Sequence, residues 1–278
     1  MEVFEKISIP EKRELGKNCV LKVVFLRHAH KLQFDPHEEG HISWSGLSEK
    51  GKVASQELGE SMSTEEALKA YVSRLGRTHE TAENYILGAN EKGQGHILKT
   101  RTRSQLDAPY FSPEFIKTYR ARFKQKPEDY ESLSDDEKEI IVEDMEAPAV
   151  DYWLDLWDKK FDEETESAKE VAERMAYYFA RFDKLVGKLK PGSQVELLNF
   201  THRTMTEPFL VSCLNPSVKD LHELGGPLEL LEGFEIVIST DCNGNRNYKV
   251  MLRDEEYGID MNKIQEFKDA YVERTKKD

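Results

Sequence analysis

Two rhythms of apolar residues alternate along this chain. Residues 19–26 (CVLKVVFL) form a short, nearly continuous apolar run rich in β-branched side chains, the pattern of a buried strand. Ser48 then offers an N-cap, and Ala54, Leu58 and Met62 recur at helical spacing, which predicts a helix over 49–62. Residues 67–75 (ALKAYVSRL) predict a second strand, broken by Gly76. A helix follows with Ala82, Tyr85, Ile86 and Ala89 on one face, and Gly88 and Gly93 mark its exit. Residues 95–106 (GHILKTRTRSQL) predict a third strand ending near Asp107. The clearest helical stripe is Val171, Met175, Tyr178, Phe179, Phe182, Leu185, Val186 and Leu189, closed by Pro191-Gly192. Residues 194–200 (QVELLNF) predict a strand ending at Thr201-His202, and 205–214 a helix. Residues 234–242 and 247–252 flank Asn243-Gly244, a hairpin signal, and a charged helix is expected from 259 onward.

Strands alternating with helical crossovers predict an α/β fold: a three-layer α/β/α sandwich with a mainly parallel central sheet. The composition changes at Ala108. Residues 113–126 are basic and helix-like, with Lys117, Arg120, Arg122, Lys124 and Lys126; 128–146 are acidic; 150–157 (VDYWLDLW) are aromatic. We read 108–164 as a helical cap inserted into a single domain spanning 1–278. Its charge runs are expected to be solvated helix faces, and Tyr152, Trp153 and Trp157 to pack the cap on the core. In open α/β sheets ligands gather at the carboxyl ends of strands. Those ends carry Arg27-His28, the segment leading to Arg77, Asp107 and His202, so residues distant in sequence are expected to converge on one rim.

Composition narrows the function. The chain has 278 residues, 38% of them hydrophobic and 33% charged, with a formal net charge of −13. Such an acidic balance argues against a long nucleic-acid footprint while leaving room for a local basic pocket. Cys19, Cys213 and Cys242 are odd in number and form no C-x-x-C pair, so no disulfide framework is expected and a cytoplasmic setting is the simplest. Residues 1–17 lack the apolar run of a signal peptide, and no stretch reaches the roughly 20 apolar residues of a membrane helix. Leu224-Gly225-Gly226-Pro227 lacks the pattern of a nucleotide-binding loop.

Phosphoryl transfer to a side chain needs an unprotonated nucleophile, fixed positive charge around the phosphoryl oxygens, and an acid for the leaving oxygen. A neutral imidazole, arginines and a carboxyl group supply these. Leu26-Arg27-His28-Ala29 after an apolar strand resembles the R-H-G signature of the histidine phosphatase superfamily. Arg77-Thr78-His79-Glu80-Thr81-Ala82 is similar to that family's R-T-x-x-T-A segment, and Asn199-Phe200-Thr201-His202 to the strand bearing its second histidine. The resemblance covers 20–106 and 168–252 but not the insertion. It implies that His28 is the nucleophile, that Arg27 and Arg77 clamp the phosphoryl oxygens, and that His202 donates a hydrogen bond to them. Asp107 stands where the phosphoglycerate-mutase-like branch places its proton donor, usually a Glu; Glu207, just past His202, is a second candidate.

The chain departs from the pattern in three places. Ala29 replaces the usual Gly, Phe34 stands where mutase-type members carry Asn, and Arg203 follows His202 where acid-phosphatase relatives have Asp. His30, His37 and His41 lie near His28 but have no acidic or Cys partner at a familiar metal spacing, so no metal and no cofactor is expected. His30 and Lys31 are instead candidate substrate contacts. The resulting expectation is a metal-independent phosphatase acting on a phosphorylated small molecule or phosphoprotein, with no nucleic-acid or membrane partner. A phosphoglycerate-mutase-like transferase and a non-catalytic phospho-ligand-binding relative stay open. Neither the substrate nor the oligomeric state is readable from the sequence.

Overall fold

The structure is a computed structural model in which residues 15–31, 46–61, 69–91 and 100–276 are described. Phe34, His37, His41, Met62, Gly93, the opening 1–14 and the first part of the expected third strand lie outside the described residues.

In chain order the elements are β1 (Val20–Arg27), α1 (Glu49–Ser61), β2 (Lys69–Val72), α2 (Gly76–Glu91), β3 (Thr100–Thr102), α3 (Pro113–Arg120), α4 (Asp135–Leu156), α5 (Ala168–Val186), β4 (Gln194–Thr201), α6 (Arg203–Cys213), β5 (Leu214–Asn215), β6 (Gly233–Thr240), β7 (Arg246–Leu252), β8 (Glu255–Ile259) and α7 (Met261–Thr275). The strands form one sheet in the order β3-β2-β4-β1-β6-β7-β8-β5.

The sheet is mixed, which corrects the expectation of a mainly parallel one. β1, β2, β3 and β4 pair in parallel, whereas β1–β6, β6–β7, β7–β8 and β5–β8 are antiparallel. For β6–β7 and β7–β8 the cause is connection length. A parallel neighbour needs a crossover of a dozen or so residues, and the links after β6 and β7 are tight turns.

β1 shows how the parallel half is held. Its alternate side chains enter two separate clusters. Val24 and Leu26 pack with Leu198 and Phe200 against Ala82, Tyr85 and Ala89 of α2. Leu21, Val23 and Phe25 face the opposite cluster, with Tyr178, Phe179 and Phe182 of α5. Helices therefore cover both faces here, which explains why the run 19–26 shows no polar alternation. α1 lies close on α2: a Cβ on Gly59 would sit 2.0 Å from the Tyr85 carbonyl oxygen, and one on Gly88 2.0 Å from that of Gln56. Only glycine permits that approach.

Three expected elements are shorter. The second strand, expected to 75, ends at Val72, where the polar Ser73 and Arg74 leave the sheet. The third strand is confined to Thr100–Thr102, and Ser104–Leu106 form a 3-10 turn. The polar run there has no apolar face to hold it in the sheet, and Leu106 turns into the core while the Thr201 hydroxyl donates to its carbonyl (2.8 Å). The helix expected over 113–126 ends at Arg120. In 108–164 the helices are α3 and α4, and no strand of the sheet comes from it. Its basic and acidic runs largely meet each other: Lys124 pairs with Asp144 and Lys126 with Glu131, while Arg122 lies over the Tyr152 ring at 3.4 Å. Trp153 is buried against Phe111. No described helix is long and apolar enough to cross a membrane. The three cysteines are free.

Candidate active site

β1 and β4 are adjacent parallel strands in register, Arg27 opposite Thr201. Their carboxyl ends therefore deliver His28 and His202 to the same rim. The two rings face each other with centroids 5.2 Å apart, edge to face, and both are buried. The His28 backbone N–H donates to the Thr201 carbonyl (3.0 Å), which ties the strand ends together.

Hydrogen bonds fix the protons on both rings. Nδ1 of His28 lies 2.8 Å from the Ala29 carbonyl oxygen, which only accepts, so Nδ1 carries the proton and Nε2 keeps a lone pair. Nδ1 of His202 lies 3.2 Å from Nη2 of Arg77, which only donates. The proton of His202 is therefore on Nε2, which donates to Oγ of Ser73 at 3.0 Å. Ser73 donates in turn to Thr78 Oγ1 (2.8 Å), and Thr78 to the Leu75 carbonyl (2.9 Å). This relay runs from the end of β2 into the first turn of α2, the helix that carries Arg77.

Electrostatics keep both imidazoles neutral. Burial first, then Arg77, the other imidazole and Arg27, hold His28 well below the usual histidine range. Burial, Arg77 and Arg27 do the same for His202. Burial lowers Arg77 to about 10, which still leaves it cationic at neutral pH.

Arg27 is buried and aimed from the end of β1. Its Nη1 donates to the Leu228 carbonyl (2.7 Å), and its Nη2 meets both carboxylate oxygens of Glu143 in α4 at 2.5 and 2.6 Å. Arg203 stands 3.7 Å from the same carboxylate. Burial pushes Glu143 upward, but Arg27, with Arg203 and Lys31 behind it, more than offsets this, so its carboxyl titrates below the usual range. Lys31 approaches Glu146, one turn along α4, at 3.9 Å. His30 meets the start of α1 through its carbonyl, which accepts from the Ser48 N–H (3.0 Å).

The two candidate proton donors flank the histidines. Asp107 lies on the β2–β3 side, beside the Ser73 relay: its oxygens accept from the Arg74 backbone N–H (2.7 Å) and Arg74 Nε (2.5 Å). Glu207 of α6 lies on the β6 side, fully buried. One oxygen accepts from the Leu228 N–H (3.3 Å), and the other has no hydrogen-bond partner among the described residues. Burial raises its carboxyl against the pull of Arg203 and Arg27.

Ser73, Arg74, Arg203 and Glu143 were not singled out as site residues by sequence reasoning. Ser73 and Arg74 carry a faint signal, since they fall near the end of an expected strand as Arg27-His28 do. Glu143 carries none; it sits in an acidic run that reads as a solvated face. Among the described residues, no group of three or more His, Cys, Asp or Glu is placed to hold a metal ion.

Neither a scan of protein-family models nor a search of curated proteins by sequence returns a match. Solved structures do match. A phosphoglycerate mutase from Bacillus anthracis superposes with a TM-score of 0.50 at 16% identity, over 91% of this chain and 99% of that one. The chain has the phosphoglycerate mutase fold. Weaker matches include a mycobacterial glucosyl-3-phosphoglycerate phosphatase (TM-score 0.47, 14% identity, 87% of this chain and 97% of that one) and a phosphoserine phosphatase from Entamoeba histolytica (TM-score 0.45, 12% identity, 78% and 90%).

Proposed function

We propose that this protein is a phosphatase that hydrolyses phosphomonoesters through a phosphohistidine on His28. The observation that carries the reading is the protonation pattern at the rim. Nε2 of His28 keeps a lone pair because Nδ1 is committed to the Ala29 carbonyl, and burial keeps the ring neutral. An unprotonated nitrogen beside Arg27, Arg77 and His202 is what in-line attack on a phosphorus requires.

The steps follow from these residues. The substrate phosphoryl group sits between the guanidinium groups of Arg27 and Arg77. Its negative charge draws a proton from solvent onto His202: as Arg77 turns from the ring to the phosphate, Nδ1, which in the resting site accepts from Arg77, gains that proton and donates to a phosphoryl oxygen. Nε2 of His28 attacks phosphorus as the ester P–O bond breaks, and Asp107, which on release from Arg74 takes up a proton from solvent, gives that proton to the leaving alkoxide. Water then attacks the phosphoimidazole, the same carboxylate takes the proton from water, and the P–N bond breaks to free phosphate and His28. The charge neutralisation assigned to metal ions in other phosphatases falls here to the two arginines and His202. The α3–α4 segment, acting as a cap over this rim, selects the remainder of the substrate.

The assignment of Asp107 is tested by leaving-group chemistry. Asp107→Asn should slow hydrolysis of an alkyl phosphate about 100-fold or more and spare p-nitrophenyl phosphate, whose phenolate leaves without a proton. An equal loss on both substrates, or the selective loss in Glu207→Gln instead, contradicts it.

A further inference from the structure

We propose that Glu143 is an internal anion that competes with phosphate for Arg27, so that the cap helix α4 latches the empty site shut. The inference rests on the reading of Arg27 as a phosphate clamp and adds a control element to it. Nη1 of Arg27 donates to the Leu228 carbonyl, Nη2 is covered by both oxygens of the Glu143 carboxylate, and Nε has no hydrogen-bond partner among the described residues. A phosphoryl oxygen arriving at Nη2 therefore meets a carboxylate already there. Arg203 backs the same carboxylate, and Lys31 holds Glu146 one turn further on, so two adjacent turns of α4 are pinned to the cations of the rim.

The helix is built to release this hold without unfolding. Its C-terminal half is anchored: Trp153 is buried and its Nε1 donates to the Glu166 carbonyl (3.0 Å), and Ala149 and Val150 are buried beside it. Its N-terminal half begins at an exposed capping box, Ser134 with Glu137, carries Ile140 at 64% exposure, and is seated by two buried side chains, Val142 and Met145. Between the halves stands Pro148, which has no N–H to give to the helix ladder and marks the natural place to bend. Bending there lifts Glu143 and Glu146 from the rim, and draws Val142 and Met145 out of their buried positions, while Trp153 stays seated.

The test is equilibrium binding of inorganic phosphate, followed by calorimetry, to the wild type and to Glu143→Gln, Glu143→Asp and Asp144→Asn. If the latch is closed in nine molecules of ten, removing it tightens phosphate binding about tenfold. Glu143→Asp keeps the charge but shortens the reach, so a clear gain there separates occupancy of Arg27 from a general change of field. Asp144→Asn makes the same charge change on an exposed side chain paired with Lys124, and should leave binding within about twofold. Wild type and both Glu143 variants binding phosphate equally, or Asp144→Asn matching the gain, overturns the latch and leaves the phosphatase reading intact. No phosphate binding by any of the four proteins overturns both.

Discussion

Ser73→Ala is the sharpest probe of how the rim is organised. Oγ of Ser73 is fully buried, accepts from Nε2 of His202 (3.0 Å) and from the Leu75 backbone N–H (3.2 Å), and donates to Thr78. Alanine fits the space but leaves one buried donor, Nε2–H of His202, and one part-buried donor, the Leu75 N–H, without an acceptor, the second at the lower end of the cost. A buried unsatisfied donor costs about 1–3 kcal/mol, so the variant should lose roughly 2–4 kcal/mol of stability. That corresponds to a fall in Tm of roughly 4–16 °C, at about 2–4 °C per kcal/mol for a chain of this size. The ring also loses what fixes its proton on Nε2. With the tautomer free to switch, Nδ1–H faces the Arg77 guanidinium and the pair separates. Turnover should therefore fall about tenfold or more at a temperature well below the new Tm, and the 15N shifts of His202 should show a mixture of tautomers. Thermal unfolding, kcat/KM on p-nitrophenyl phosphate and histidine NMR read these three effects. A variant that is less stable but keeps wild-type kcat/KM and a single Nε2–H tautomer refutes the positioning role.

Two pH predictions follow from the buried titratable groups. His28 and His202 titrate below the usual histidine range in the folded protein, so on acidification the unfolded chain binds protons first; stability without phosphate should fall as pH drops below about 6.5, and His202→Asn should flatten that fall. Glu207 is shifted the other way: its proton stabilises the fold at low pH, and that contribution is lost as pH rises through the raised value. The Tm of Glu207→Gln relative to wild type should therefore increase from pH 5 to pH 8, and a flat or declining difference contradicts the buried, proton-favouring environment.

The parts of the fold that were legible in the sequence are those in which burial imposes a period. β1 and β4 are covered on both faces and read as short apolar-rich runs, β1 interrupted only by Lys22 and β4 by Glu196 and Asn199; α2 and α5 bury one stripe and read as helices. β8 was missed for a physical reason. It follows β7 through Arg253 and Asp254, both in the left-handed region (φ 51° and 64°), a turn normally marked by Gly or Asn. Tertiary contacts hold it: Arg253 meets Glu232 and donates to the carbonyls of Leu224, Gly226 and Pro227. That same loop presents the Leu228 carbonyl to Arg27, so an unreadable turn helps to place a readable site residue. The histidines and Arg27 were legible because strand ends and a short motif coincide. Ser73 acts through one hydroxyl and Glu143 reaches the rim from an element with no periodic relation to it, and neither leaves a pattern in the chain.

The central claim is that phosphorus becomes bonded to nitrogen of His28. Brief reaction with 32P-labelled p-nitrophenyl phosphate, quenching in alkali and peptide mapping tests it directly. The account predicts label on the peptide containing His28, stable in alkali, lost in acid and absent from His28→Asn. Label elsewhere, label persisting in His28→Asn, or turnover without any labelled protein contradicts it.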